Sequence, residues 1–161
     1  MVDVVTVTGS AGMNILIGTK AADELTDDYV EIGDVTNVPP YGKEYQVVTH
    51  NPINNRKTFK LKGSFNEGRL ELTMGRVPSD AGQARLIAAR DDESRTNGDY
   101  NFKVEAADDA GGSDDSPTIQ YFRGAVFSYT TVFDEVNSVW RAVAAIEIEG
   151  EITEVAAVDV T

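Results

Sequence analysis

Histidine and cysteine, two of the side chains that most often carry catalysis or bind metals, are scarce in this sequence. It contains one histidine, His50, and no cysteine, which excludes thiol chemistry, disulfides and a two-histidine metal site within one chain. Adjacent carboxylates occur at Asp91-Asp92, Asp108-Asp109, Asp114-Asp115 and Asp134-Glu135, all in hydrophilic segments. Acid–base catalysis needs a carboxyl group whose pKa is raised by burial, so these pairs do not indicate an active site. We predict a protein that is not an enzyme.

Two loops resemble binding motifs in composition alone. Residues 108–116 are acidic and glycine-rich, but they lack the alternating aspartates and the closing glutamate of an EF-hand loop. Gly9-Ser-Ala-Gly12 lacks the Lys-Ser/Thr pair of a phosphate-binding loop and the third glycine of a dinucleotide turn. We therefore predict no cofactor and no metal site, and we expect residues 107–117 to form a mobile acidic loop.

The charge of the chain limits its partners. It has 14 Lys and Arg against 27 Asp and Glu, a net charge of −13. Such a surface repels phosphate, which excludes tight wrapping of nucleic acid but permits its passage nearby. Residues 23–34 hold acids and no base, whereas Arg56, Lys57, Lys60 and Lys62 form a basic cluster. These patches are either solvated surface or head-to-tail contacts between identical subunits. No apolar stretch approaches the ~20 residues that span a bilayer, so we predict no membrane insertion.

The positions of these charges depend on a set of β-strands. The chain of 161 residues suits one domain, residues 1–161. Residues 58–74 alternate at period 2, with Phe59 and Leu61 on one face and the lysines between them on the other. A two-residue turn at Glu67-Gly68 would close a hairpin with Phe65 opposite Leu70. We expect residues 38–57 to form an arm that projects before this hairpin.

One helix interrupts the strands. Asp80 is an N-cap candidate, and Gln83 follows at the spacing of a capping box. Ala84, Ile87 and Ala88 then form a narrow apolar stripe that could lie against a sheet.

The remaining strands complete a mainly β domain. Residues 100–106 alternate, and two long β-prone runs at 118–133 and 139–155 close the chain around a turn at 134–138. The aromatic residues of these runs are predicted to lie in the core or at a subunit interface, since no basic groove accompanies them. They are Tyr121, Phe122, Phe127, Tyr129 and Trp140.

The order and spacing of these elements resemble those of the major tail tube proteins of phages with long, non-contractile (siphovirus-type) tails. The resemblance spans roughly residues 13–155. It rests on Tyr29-Val-Glu-Ile-Gly-Asp-Val-Thr36, the arm, Phe59-Lys-Leu-Lys-Gly-Ser-Phe-Asn-Glu-Gly68, Ser79-Asp-Ala-Gly-Gln83, Tyr100-Asn-Phe-Lys-Val104, Tyr121-Phe-Arg-Gly-Ala-Val126 and Ala145-Ile-Glu-Ile-Glu-Gly-Glu-Ile152.

This resemblance implies a β-sandwich or half-barrel with one short flanking α-helix. It implies hexameric rings in which the inner sheets of neighbouring subunits close a β-barrel around a lumen. The rings stack into the tail tube of the virion, which is assembled in the bacterial host cytoplasm and conducts the genome during ejection. The implied partners are further copies of the chain, a tape-measure protein, a tail-tip initiator, a tail terminator and transiently passing DNA.

Candidate contact residues follow from the charge pattern and from this resemblance. We expect the arm and the acidic segment to join one ring to the next, through Arg56, Lys57, Asp27, Asp28 and Glu31. The polar strand faces are candidates for the lumen lining. They carry Lys60, Lys62, Arg69, Glu71, Lys103, Glu105, Glu147 and Glu149.

Two alternative functions remain open from the sequence. One is the tube protein of a contractile tail or of a secretion-type injection machine. The other is a β-sandwich carbohydrate-binding or adhesin module, which usually exposes aromatic residues on a concave face.

Overall fold

The strands form a curled half-barrel with one helix and a separate two-stranded extension. The computed structural model describes residues 9–94, 99–108 and 115–158. Within these ranges the elements are β1 (Asn14–Ile17), β2 (Val30–Glu31), β3 (Val35–Asn37), β4 (Glu44–His50), β5 (Phe59–Asn66), β6 (Arg69–Gly75), α1 (Ala81–Asp91), β7 (Tyr100–Glu105), β8 (Ile119–Val132) and β9 (Arg141–Val155).

Seven of the strands make one antiparallel sheet in the order β2-β1-β7-β8-β9-β6-β3. Its centre is the long β8–β9 pair, whose register shifts between Tyr121 and Arg123 and again between Val126 and Ser128. Such irregularities bend a strand and increase its twist, which suits a sheet that curls. The predicted mainly β, half-barrel fold with one short helix is confirmed. The predicted strands at 100–106, 118–133 and 139–155 are confirmed to within a few residues at each end.

The concave face of this sheet holds the hydrophobic core. At the centre, the rings of Phe102 and Phe122 stack with centroids 5.5 Å apart, and both side chains are fully buried. Leu70, Leu72 and Met74 of β6 are likewise fully buried. Their neighbours in the sequence, Arg69, Glu71 and Thr73, point the other way, so the predicted period-2 alternation determines which side chains enter the core.

The helix begins where the sequence predicts. The side chain of Asp80 accepts a hydrogen bond of 2.8 Å from the backbone N–H of Gln83, which confirms the N-cap. The predicted apolar stripe is wrong, however, because Ala84 and Ala88 are exposed and Ile87 is only half-buried. The helix instead buries the face that carries Gly82, Gln83, Leu86 and Ala89.

Gln83 explains why the helix buries this face rather than the predicted one. Its side chain is fully buried, and its Nε2 donates to the carbonyls of Gly33 (3.0 Å) and Gly75 (2.8 Å). Its Oε1 accepts from the backbone N–H of Val77 (3.0 Å) and from the hydroxyl of Tyr129 (3.2 Å). A polar residue with so many partners can occupy a core position without leaving unpaired groups, so the helix turns it inward.

The predicted β5–β6 hairpin is wrong. β5 pairs with β4, which places Phe65 opposite Tyr45 rather than Leu70. In the main sheet, β6 pairs with β9 along its whole length and with β3 at Thr73 and Met74, and it forms no ladder with β5. The chain changes direction at Glu67-Gly68, where Gly68 adopts a φ of 97°, a conformation that favours glycine.

One sequence expectation falls largely outside the described residues. Most of the loop predicted at 107–117 lies at 109–114, which the structure does not describe. The described flanks are held in place: Asp108 Oδ2 accepts from the Thr118 hydroxyl at 2.6 Å, and Ser116 forms an isolated bridge with Val158.

Candidate assembly surfaces

The first surface is the two-stranded extension formed by β4 and β5, residues 44–66. It overlaps the arm predicted at 38–57 and extends beyond it through β5, and from here on we use the name arm for residues 44–66. All its strand residues are exposed except Gly63, which is half-buried. An isolated two-stranded hairpin is at best marginally stable in water. The arm therefore lacks a core of its own and leaves much of its surface available to another molecule.

One side of the arm, the apolar arm face, carries most of its large hydrophobic side chains. The cross-strand pairs Tyr45–Phe65 and Val48–Leu61 and the side chain of Phe59 lie on this face. Their exposed fractions run from 39% for Tyr45 to 61% for Leu61, values expected of a contact surface rather than of a packed core. The predicted alternation of Phe59 and Leu61 against Lys60 and Lys62 is therefore correct, although their strand partner is different.

Basic side chains surround the aromatic rings of the arm. The Nζ atoms of Lys43 and Lys62 lie 4.7 and 4.8 Å from the ring centroids of Phe65 and Tyr45. Arg56 and Lys57, predicted to contact a neighbouring ring, lie in the exposed connection between β4 and β5. The arm contains four basic residues and one acidic residue, Glu44, which makes it a basic surface on an acidic protein.

The second surface is the face of β6 and β9 that points away from the core. Arg69 lies 3.9 Å from a carboxylate oxygen of Glu71 and 3.7 Å from one of Glu147, and the three side chains are 39–54% exposed. Glu149 follows on the same face of β9 and is exposed. Ion pairs this exposed contribute little to stability, so this surface is polar and open, with an excess of negative charge.

The other predicted lumen residues lie elsewhere. Lys60 and Lys62 belong to the arm. Lys103 and Glu105 lie on β7, where they form an ion pair of 2.9 Å and are 18% and 24% exposed. The Nζ of Lys103 also lies 4.9 Å from the ring centroid of Tyr29. The eight lumen candidates thus divide among three regions.

A segment that we call the strap, residues 19–29, covers the outer face of β7 and β8. Asp27 anchors it: one carboxylate oxygen accepts from the Thr19 N–H at 2.6 Å and from Asn101 Nδ2 at 2.8 Å. Burial acts to raise the pKa of Asp27, but the hydrogen bonds from Thr19, Asn101 and Asp28 outweigh it and lower the pKa. Asp27 is thus engaged within its own chain.

The remaining predicted inter-ring residues are more available. Asp28 is 82% exposed and lies 3.7 Å from Arg85, whose guanidinium also donates to the Asp28 carbonyl at 2.8 Å. Glu31 is exposed at the end of β2, the edge strand of the sheet.

The third surface is the connection between β8 and β9, residues 133–140, which we call the apolar turn. Phe133 and Trp140 stack with centroids 5.3 Å apart, yet they remain 66% and 38% exposed. Val136 and Val139 are also exposed. The sequence predicts core or interface positions for the aromatic residues of the two terminal strands. Tyr121, Phe122 and Tyr129 are buried, whereas Phe127 and Trp140 remain exposed.

The fourth surface consists of two strand edges on the β8–β9 pair. The β7 ladder reaches only Gly124 on β8, and the β6 ladder reaches only Glu147 on β9. Among the described residues, 125–132 and 149–155 therefore pair on one side only. These edges lie on opposite sides and at opposite ends of the β8–β9 pair. At the first edge, Arg90 donates to the Tyr129 carbonyl at 3.4 Å.

The described residues contain neither a metal-ligating cluster nor a membrane-spanning helix. Across residues 9–94, 99–108 and 115–158, no group of three or more metal-ligating side chains could hold an ion. No helix in those ranges is long and apolar enough to cross a membrane.

Comparison with solved structures identifies the fold. A chain from the PVC sheath/tube terminator of an extracellular contractile injection system matches with a TM-score of 0.69 and 13% identity, over 95% of this chain and 99% of that one. A chain from the anti-feeding prophage tube-terminating cap matches with a TM-score of 0.68 and 11% identity, over 97% of this chain and 95% of that one. The SPP1 tail tube matches with a TM-score of 0.64 and 15% identity, over 91% of this chain and 78% of that one.

These matches confirm, at the level of the fold, the resemblance that the sequence predicts: the chain has a tail tube-like fold. No protein-family model and no curated protein matches the sequence.

Proposed function

We propose that this protein is the structural subunit of a phage tail tube and has no catalytic role. In this proposal, copies of the chain close into hexameric rings, and the rings stack into a conduit for genome ejection. The observation that carries the proposal is the pair of unpaired edges on β8 and β9, in a chain with a tail tube-like fold.

The two edges suit ring closure because they are complementary in position. The edge at 125–132 of one copy can pair with the edge at 149–155 of the next, since each is open on the side that the other would approach. Two different surfaces that meet in this way form a heterologous interface, which closes into a ring when the rotation allows it. A closed barrel removes the exposed edges that would otherwise favour aggregation.

The exposed polar face of β6 and β9 then supplies the lining of the lumen. Of the eight candidates, exposure favours Arg69, Glu71, Glu147 and Glu149, which carry three negative charges against one positive charge. Repulsion between a carboxylate and a phosphate is about 1 kcal/mol at 4 Å in water. It decays over a Debye length of about 8 Å. Repeated along a bore, this repulsion would keep passing DNA from adhering.

The arm joins one ring to the next in this proposal. Arg56→Glu combined with Lys57→Glu is expected to leave the subunit folded and to suppress tube growth, because both residues lie at the exposed end of the arm. Arg56→Lys combined with Lys57→Arg keeps both charges and is the matched control. Undiminished tubes from the charge-reversed protein in negative-stain micrographs would count against this role of the arm.

Electron microscopy of the concentrated protein tests the proposal as a whole. We expect hollow filaments about 100 Å wide, as a ring of domains with a radius of gyration of about 15 Å would give. Hydrogen exchange should show amides at 125–132 and 149–155 that exchange in the subunit and become protected in the filament. A protein that stays monomeric at every concentration, with these amides already protected, would overturn the proposal.

A contractile tail or a secretion-type injection machine is the second candidate. The structural matches favour it as much as the first, because two of the three matches described above come from a contractile injection system and from the anti-feeding prophage. A tape-measure protein, a tail-tip initiator and a terminator are expected partners in either case. Co-purification of the assembled tubes with a sheath protein would decide for the contractile system.

A further inference from the structure

The apolar turn and the apolar arm face lie at opposite ends of one strand. The arm joins the main sheet through Glu67 and Gly68, directly before β6. At the other end of β6, Gly75 pairs with Arg141, and the N–H of Arg76 donates to the Trp140 carbonyl at 2.9 Å. The seven residues of β6 separate the two surfaces by roughly 20 Å.

The two surfaces are also complementary in character. The arm presents exposed aromatic and aliphatic side chains among four basic residues, whereas residues 133–140 present Phe133, Val136, Val139 and Trp140 beside Asp134 and Glu135. Asp134 pairs with Arg141, which leaves Glu135 as the available charge on the turn.

The acidic strap is a weaker partner for the arm. Asp27 is bonded to Thr19 and Asn101, and Asp28 faces Arg85. Leu25 is the large exposed hydrophobic residue in this segment. The strap therefore offers charge without an apolar patch that matches the arm.

We infer that the apolar arm face of one copy binds the apolar turn of a second copy in the adjacent ring. This inference rests on the proposed tube and names the contact that stacks it. The arm binds a second copy of the chain, rather than another protein, because the two surfaces are complementary and lie at opposite ends of one molecule. A contact between two different surfaces repeats without limit when no rotation closes it, as growth along a tube axis requires.

Cysteine cross-linking of assembled tubes tests this contact, since the chain has no native cysteine. In the variant Leu61→Cys/Val136→Cys, a short bismaleimide should link each subunit to one above and one below. The expected product is a ladder of covalent dimers, trimers and longer chains from tubes, with none from dilute subunits. The matched control Leu61→Cys/Leu25→Cys places the second thiol on the strap and should give no ladder.

The outcomes separate this inference from the proposed function. A ladder from the control variant and none from the Val136 variant would overturn the inference and leave the tube intact. Failure of the unsubstituted protein to form any tube would instead overturn the proposed function.

Should Leu61→Cys/Val136→Cys block assembly, Thr49→Cys/Ser138→Cys replaces exposed polar residues beside the same two surfaces. The single variant Val136→Cys should also react with maleimide several-fold more slowly in tubes than as a subunit, and equal rates would refute the contact.

Discussion

Replacing Gln83 with methionine is expected to destabilise the subunit strongly, although the side-chain volume hardly changes. The substitution removes hydrogen bonds to the Gly75 carbonyl and the Tyr129 hydroxyl, both of which are buried. An unsatisfied buried group costs about 1–3 kcal/mol, so these two together cost about 2–6 kcal/mol. The partners at Gly33 and Val77 are more accessible and can bond to water.

Urea unfolding measures this loss. With an m-value of about 2 kcal/mol/M, a loss of about 4 kcal/mol lowers the midpoint by about 2 M. The m-value itself should stay unchanged, because the substitution does not alter the surface exposed on unfolding. A midpoint shift that corresponds to less than about 1 kcal/mol would refute the claim that Gln83 satisfies these buried groups.

A double-mutant cycle with Tyr129→Phe assigns part of the loss to one partner. Phenylalanine has no hydroxyl to leave unpaired, so Gln83→Met should cost about 1–3 kcal/mol less in that background. Equal costs in both backgrounds would mean that the Tyr129 hydroxyl does not depend on Gln83.

Two further predictions concern the helix and the strap. Gly82→Ala should lower the urea midpoint, even though alanine favours a helix by about 1 kcal/mol. A Cβ atom at Gly82 would lie 2.6 Å from the Glu31 carbonyl carbon and 2.7 Å from Ile32 Cα, whereas the control Gly9→Ala meets nothing within 4 Å. Asp27→Asn should lower the midpoint at neutral pH and lose this effect under acid. The pKa of Asp27 is lowered from its usual 3.8 on folding, so its contribution is present above that value and disappears as pH falls through the folded-state pKa. Urea titrations of the unsubstituted protein and of Asp27→Asn, at pH 7 and at a series of pH values descending below 3.8, measure this difference. A difference that does not shrink as the pH falls would contradict the assignment.

Local patterns were sufficient to predict most of the strands and the start of the helix. β7, β8 and β9 alternate over enough residues that period 2 alone locates them. The N-cap at Asp80 is a contact across three residues, which a sequence displays directly. Features of this kind depend on neighbours in the chain, so they need no knowledge of tertiary structure.

Strand partners and the buried helix face could not be predicted in the same way. Alternation shows which side chains of β5 and β6 share a face, but it does not show which strand lies beside them. β6 pairs with β9, about 70 residues away, because Leu70 and Leu72 complete the core there. Likewise, the inward position of Gln83 depends on the carbonyls of Gly33 and Gly75, which local periodicity cannot reveal.

The sequence predicts which charged residues are exposed on the strands, but it does not predict which of them share one surface. The basic residues of the arm and the acids of β6 and β9 are evident in the sequence as alternating polar positions. Which of them share a surface depends on the strand order, which separates Lys60 and Lys62 from Arg69 and Glu71. The sequence does not distinguish the apolar turn, because exposed Phe133 and Trp140 have the same pattern as buried aromatic residues of a strand.

In the proposed tube, folding and assembly would use different parts of this molecule. The buried core lies between the concave face of the main sheet and α1, whereas the arm, the apolar turn and the open strand edges lie outside it. Removing an apolar group from the arm therefore costs little in the subunit, since Leu61 is already 61% exposed. The same group would be buried in the assembled tube, where its removal costs contact energy repeated at every subunit. Under this proposal the exposed hydrophobic residues would supply part of the driving force for polymerisation, which a subunit that buried them internally would lack.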